Sequence, residues 1–186
     1  MSSECEFSEM ELPTEKEVSH VLVVGVGSPF GDDRFGWHVA DLLRSRLGQF
    51  TPAADIGPVE IRKAAAPHQL LDWLDDQQGL VLCDACRGSG EPGTVTRFEW
   101  PSTHVRGLRF SGTHEMPLPA LLELAQRLGR LPRRVTIWGA EAQAATDGEQ
   151  VPDRPLAAPT ERAATRVAAR IREELRAFAA TSNMNS

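Results

Sequence analysis

Hydrophobic positions along the chain follow two alternating patterns. His20–Gly27 (HVLVVGVG) is a short apolar run, rich in β-branched residues and ending in glycine, which predicts a strand buried on both faces. After the turn SPFGDD, Phe35, Val39, Leu42, Leu43 and Leu47 recur at helical spacing and predict an amphipathic helix over Arg34–Leu47. Val59–Arg62 predicts a second strand, and Pro67 suits the first turn of a helix carrying Leu70, Leu71 and Leu74. Gly79–Asp84 (GLVLCD) is another buried strand, ending on an acid. Beyond the turn RGSGEPG, Thr94–Trp100 alternates in the manner of an edge strand. Pro101–Thr113 reads as a polar loop. Pro117–Leu128 carries Leu118, Leu121, Leu122, Ala125 and Leu128 on one helical face and is stopped by Gly129. Arg134–Gly139 (RVTIWG) predicts a further strand and Ala140–Pro159 a long loop. Thr160 is placed to cap a last helix whose apolar stripe is Val167, Ile171, Leu175 and Phe178.

Strands that alternate with helices imply an α/β fold: one three-layer domain, with a mostly parallel sheet covered by helices on both faces. The domain is expected over residues 19–180, after an acidic N-terminal arm (1–18) and before a polar tail (181–186). At 186 residues and 41% hydrophobic content, the chain can bury a core without disulfides or a structural metal. Its net charge of −6 argues against nucleic acid and tilts the surface toward cationic ligands or metal ions. Three cysteines, Cys5, Cys83 and Cys86, do not describe a disulfide framework. No apolar run suits a membrane span and no export signal is visible, so a cytoplasmic monomer with no membrane or nucleic-acid partner is expected.

Ligands of such sheets bind beyond the carboxyl ends of the strands, and three candidate features fall there. Asp32 and Asp33 follow the first strand, Asp84 ends the third predicted strand, and His114 (SGTHEMPL) precedes a helix. Each has a structural explanation as well. Acids at a helix start cap it, Asp84 can bond the amides of the RGSG turn, and a histidine of this kind is often a plain surface residue, with His20, His38, His68 and His104 as competitors. Together, two carboxylates and an imidazole suit Zn, Ni, Mn or Fe, and they leave positions open for water or substrate. GVGSPFG is a decoy for a nucleotide loop: it departs from the dinucleotide fingerprint, and Asp32 and Asp33 would repel a pyrophosphate, so no nucleotide is expected. Cys83-Asp84-Ala85-Cys86 has the spacing of a redox pair but begins inside a strand rather than at a helix start, so Cys83 is assigned to the core.

Three blocks in this order resemble the hydrogenase maturation proteases. VLVVGVGSPFGDDRFG is similar to that family's opening strand and acidic turn, LVLCDACRGSGEPGTV to its second block, and SGTHEMPLPALLELA to its histidine block; VTIWGAEA resembles its fifth strand. The resemblance covers about residues 20–178. It implies a twisted five-stranded sheet between helices, and metal-interacting, catalytic residues at Asp33, Asp84 and His114. It also implies an endopeptidase that removes the C-terminal extension of a [NiFe]-hydrogenase large-subunit precursor after nickel insertion, with the nickel supplied by the precursor.

Three positions depart from the family pattern. Ser28 replaces an asparagine, Arg34 replaces a glycine, and Arg62 stands about where the family often has an aspartate. A positive φ at Arg34 would be strained. Two rival readings follow: a protease-like protein that binds a metallated partner without cutting it, and a nucleotide-binding α/β domain.

Overall fold

The computed structural model describes residues 21–47, 58–110, 116–143, 152 and 154–182. The predicted N-terminal arm, the last residues of the polar tail and His114 lie outside the described residues. In chain order the elements are β1 (Val21–Val26), a 3₁₀ turn (Gly31–Arg34), α1 (Phe35–Leu47), β2 (Val59–Ala64), a second 3₁₀ turn (Pro67–Trp73) and β3 (Gly79–Arg87). β4 (Val95–Glu99), α2 (Thr103–Gly107), β5 (Arg109–Phe110), α3 (Leu118–Arg127), β6 (Arg134–Glu141) and α4 (Ala158–Ser182) follow.

The strands form one mixed sheet in the order β2-β1-β3-β6-β4, with β5 pairing β3 off this path. β1, β2, β3 and β6 run parallel, while β4 and β5 are antiparallel to their neighbours. The expected five strands are therefore present, and a two-residue sixth is added to them. β1 is buried along its whole length, as a central parallel strand covered on both faces must be.

Side chains alternate between two cores. Val21, Val23, Val81, Cys83, Ala85 and Trp138 face α1 and α4. Leu22, Val24, Leu80, Leu82 and Ile137 face α3 and the second 3₁₀ turn. α1 fits closely because glycines meet. A Cβ on Gly25 would lie 2.0 Å from the carbonyl oxygen of Gly36, and one on Gly36 would lie 2.1 Å from that of Val26 and 2.3 Å from that of Cys83. The first turn of α1 thus rests directly on the ends of β1 and β3, so the glycine-rich run has a packing role.

Four sequence expectations are corrected. Pro67–Trp73 is a 3₁₀ turn rather than an α-helix. The loop expected over Pro101–Thr113 contains α2, started by the Ser102 hydroxyl accepting the His104 N–H, and β5. The expected loop from Ala140 begins later, because β6 continues through Glu141. Thr160 does not cap α4; it lies inside the first turn and its hydroxyl donates to Asp32 Oδ2 at 2.6 Å.

Candidate active site

The carboxyl ends of β1 and β3 lie side by side. Their parallel register runs from Val21↔Gly79 to Gly25↔Cys83, so Asp84 is the first residue of β3 beyond its pairing with β1. It is not the end of the strand, contrary to the sequence reading: β3 continues to Arg87 because β6 accompanies it from Asp84↔Gly139 to Cys86↔Glu141 and β5 takes the place that β1 vacates. Asp84 is fully buried.

The chain leaving β1 turns back through the 3₁₀ turn, which packs against β3 and carries Asp32 and Asp33. Ser28 and Asp33 close this turn. The Ser28 N–H donates to the Asp33 carbonyl at 3.1 Å, and the Ser28 hydroxyl reaches Asp33 Oδ2 at 3.5 Å. Serine thus serves at the position where the family pattern has asparagine. Arg34 carries no backbone strain, since Asp76 is the one described non-glycine residue with positive φ. Arg62 contacts Glu60 and stacks over Trp73 at 4.8 Å.

The adjacent acids have separate tasks. Asp32 accepts the N–H of Gln143 and of Ala157, both at 2.7 Å, besides the Thr160 hydroxyl. It therefore caps α4, a helix remote in sequence, and ties it to the exit of β6. Asp33 bonds within its own turn, through Ser28.

A similar division holds after β3. Glu141, at the end of β6, accepts the N–H of Gly88 at 3.2 Å, the N–H of Ser89 at 2.6 Å and the Ser89 hydroxyl at 2.8 Å. Burial by itself would raise the Glu141 pKa, but the hydrogen bonds from Ser89 and the turn amides outweigh it and hold the carboxyl below its ordinary range. The RGSG amides that Asp84 was a candidate to bond are held by Glu141. Neither Asp32 as a long-range cap nor Glu141 as a turn anchor was legible in the sequence; their partners lie 111–128 and 52–53 residues away.

Cys83 and Cys86 are both buried in β3. Three residues apart on a strand, they point to opposite faces and cannot share a disulfide or an ion. Burial, and secondarily the charge of Asp84, raises the Cys83 thiol far above its ordinary range. Burial is also the main cause that pushes Cys86 up to about 11. Both thiols are inert core residues.

Among the described residues, no group of three or more His, Cys, Asp or Glu side chains is gathered for a metal ion. Asp33 lies in the 3₁₀ turn that packs against β3, and Asp84 lies within β3. His114 belongs to the segment joining β5 to α3, outside the described residues; Phe110 of β5 and the apolar face of α3 pack into the core on the side of Leu80 and Leu82. Of the competing histidines, His38 is half-buried in α1, His68 and His104 are exposed, and His20 lies outside the described residues.

The family model for hydrogenase maturation protease matches residues 64–171. The chain belongs to the hydrogenase maturation protease family. Among solved structures, this maturation protease family member is similar to the hydrogenase 2 maturation peptidase of a Thaumarchaeota archaeon, at 28% identity and a TM-score of 0.56, with 84% of this chain and 97% of that one covered. It shares its fold with the hydrogenase maturating endopeptidase HybD of Escherichia coli (22% identity, TM-score 0.59, 83% and 93% covered). The same holds for the [NiFe] hydrogenase maturation protease HycI of Thermococcus kodakarensis (21% identity, TM-score 0.58, 84% and 92% covered). No curated protein sequence matches the chain. Among the described residues of this family member, no helix is long and apolar enough to cross a membrane.

Proposed function

We propose that this protein is the endopeptidase that removes the C-terminal extension of a nickel-loaded [NiFe]-hydrogenase large-subunit precursor. The observation that supports the reading is that the 3₁₀ turn carrying Asp33 packs against β3, the strand that carries the buried Asp84, with turn-anchoring tasks taken by Asp32 and Glu141. Family membership and the fold support it.

Asp33, Asp84 and His114 are the residues assigned to contact the ion. Carboxylate oxygens with an imidazole suit nickel among other divalent ions. The nickel is part of the substrate: it arrives with the precursor, so the site is complete only when a correctly loaded chain is present, and incompletely assembled precursors are left uncut. Asp84 is carried by a buried strand rather than a loop, and a site group on a strand is positioned more precisely than one on a loop. The packing of the Gly25–Gly36 contact gives GVGSPFG a structural purpose and removes the motivation for nucleotide binding. The rival reading, binding without cleavage, draws on Arg34 and Arg62; Arg34 has no positive φ and Arg62 stacks over Trp73, and detection of a cleaved peptide rejects that rival.

Mass spectrometry of the co-encoded precursor tests the proposal. Incubating the nickel-loaded precursor with this protein is expected to remove a mass equal to one C-terminal peptide, while the nickel-free precursor stays intact. A loaded precursor of unchanged mass, with folded protein, contradicts it.

A further inference from the structure

The antiparallel ladder between β3 and β5 sets two arginines directly opposite one another. Arg87, the last residue of β3, pairs with Arg109, the first residue of β5. Opposed residues of an antiparallel pair have Cα atoms about 4.5–5.5 Å apart and side chains on the same face. Both residues are exposed. Two guanidiniums so placed repel each other, and like charges directly opposite destabilise a sheet.

No described acid relieves that repulsion. Neither arginine makes an ion pair with another described residue. Arg106, close by in α2, is already paired with Glu123 at 2.8 Å. Glu141, which stands opposite Cys86 on β6, is engaged with the Gly88 and Ser89 N–H groups and the Ser89 hydroxyl. On a chain of net charge −6, an arginine pair left without a counter-ion marks a place for an external anion.

The fold sets the pair beside the candidate site. Alternate residues of a strand share a face. Cys83 and Ala85 pack into the core formed with α1 and α4, so Arg87 projects on that side of the sheet, past the end of that core. Arg109 shares its face through the pairing. The 3₁₀ turn that carries Asp33 packs against β3 and leads directly into α1, the helix on this side. Asp84 precedes Arg87 by three residues, about 10 Å along the strand. It faces the side of Leu80 and Leu82, so the arginines are not its counter-ions.

We infer that Arg87 and Arg109 form a carboxylate-binding surface that docks an acidic stretch of the precursor polypeptide within a few residues of the cleaved bond. The inference rests on the proposed endopeptidase activity for the identity of the polypeptide. Guanidinium forks hold carboxylates through paired N–H donors. A carboxylate between the two arginines also removes their mutual repulsion, so the free protein is poised to accept it. The negative charge of the whole chain disfavours an acidic stretch elsewhere and confines it to this end of β3. The surface supplies binding and takes no part in bond cleavage.

The test uses the full-length protein and fluorescence anisotropy with two labelled synthetic peptides. One spans the cleaved bond of the co-encoded precursor, and in the other every Asp and Glu of that peptide is replaced by Asn and Gln. Arg87→Glu and Arg109→Glu each turn the repulsive pair into an attractive one, so both variants should fold with a Tm equal to or above that of wild type. Each should still weaken binding of the acidic peptide by roughly tenfold or more, and raise KM for the nickel-loaded precursor more than it lowers kcat. Equal binding of the acidic peptide by wild type and both variants overturns the inference, and so does equal binding of the two peptides by wild type. A lowered Tm in both variants gives the arginines a structural task and overturns it as well. Inorganic phosphate that binds through these arginines where the acidic peptide does not assigns the pair to a small anion instead. Charge-dependent binding of the peptide through both arginines, with no loss of mass from the loaded precursor, refutes the endopeptidase reading and leaves the docking surface standing.

Discussion

The turn after β1 and the turn after β3 solve the same problem with different acids. Each must reverse the chain at the carboxyl end of a buried parallel strand, and each has a carboxylate that accepts exposed backbone N–H groups. After β1 that anchor is Asp32, which reaches forward to Gln143, Ala157 and Thr160. After β3 it is Glu141, which reaches back to Gly88 and Ser89. In both places a second acid stands nearby: Asp33 in the turn after β1, and Asp84 within β3 where its pairing with β1 stops. The lesson is that an acid at a strand end is not by itself evidence for chemistry. It becomes a candidate once the backbone groups around it are known to be held by something else.

This contrast can be broken by exchanging the roles experimentally. The largest effect is expected at the second acids: Asp33→Asn and Asp84→Asn should lower the rate of precursor trimming by about 10²–10⁴-fold, while thermal unfolding monitored by circular dichroism stays close to wild type. Asp32→Ala removes three hydrogen bonds to a charged acceptor and should cost about 3 kcal/mol, lowering Tm by roughly 6–12 °C. A Tm equal to wild type would show that Asp32 does not hold α4. Glu141→Gln should cost less, about 2 kcal/mol.

The Glu141 variant also sharpens the comparison through pH. The folded carboxyl titrates below its ordinary value of 4.5. Its contribution is complete above that value and is lost as pH falls through the lower folded pKa. The Tm gap between wild type and Glu141→Gln should therefore close in acid; a gap that widens there would mean another group is responsible. The smallest effect concerns the cysteines. In a Cys5→Ser background, Cys83 and Cys86 should resist alkylation at neutral pH until the protein is unfolded, and rapid labelling of either would reopen a redox role.

Much of the architecture is legible in the sequence because its signals are strong and local. β1 and β3 are continuous apolar runs, α1 and α3 have clear 3.6-residue stripes, and their alternation specifies the parallel order of the central strands. The features that escape such a reading are short or non-local. α2 buries a single residue, Val105, and β5 has two residues, too few to generate a period. β3 extends past Asp84 because β5 and β6 supply partners there, which the chain's own pattern does not announce. Thr160 has the chemistry of a cap, yet a carboxylate from a different part of the chain takes that task. At the site, the apolar runs that end near Asp33 and Asp84 are enough to single out both acids by position. Asp32 is singled out equally well by the same pattern, and only the distant partners of Asp32 and Glu141 separate the anchoring acids from the other two.

The central claim is that Asp84 acts on the precursor rather than on the fold. The most direct measurement is intact-mass spectrometry of nickel-loaded precursor incubated with wild type, Asp84→Asn and Glu141→Gln at a temperature where all three are folded. The account predicts loss of one C-terminal peptide with wild type and with Glu141→Gln, and an uncut precursor with Asp84→Asn. Trimming by Asp84→Asn at the wild-type rate would contradict it.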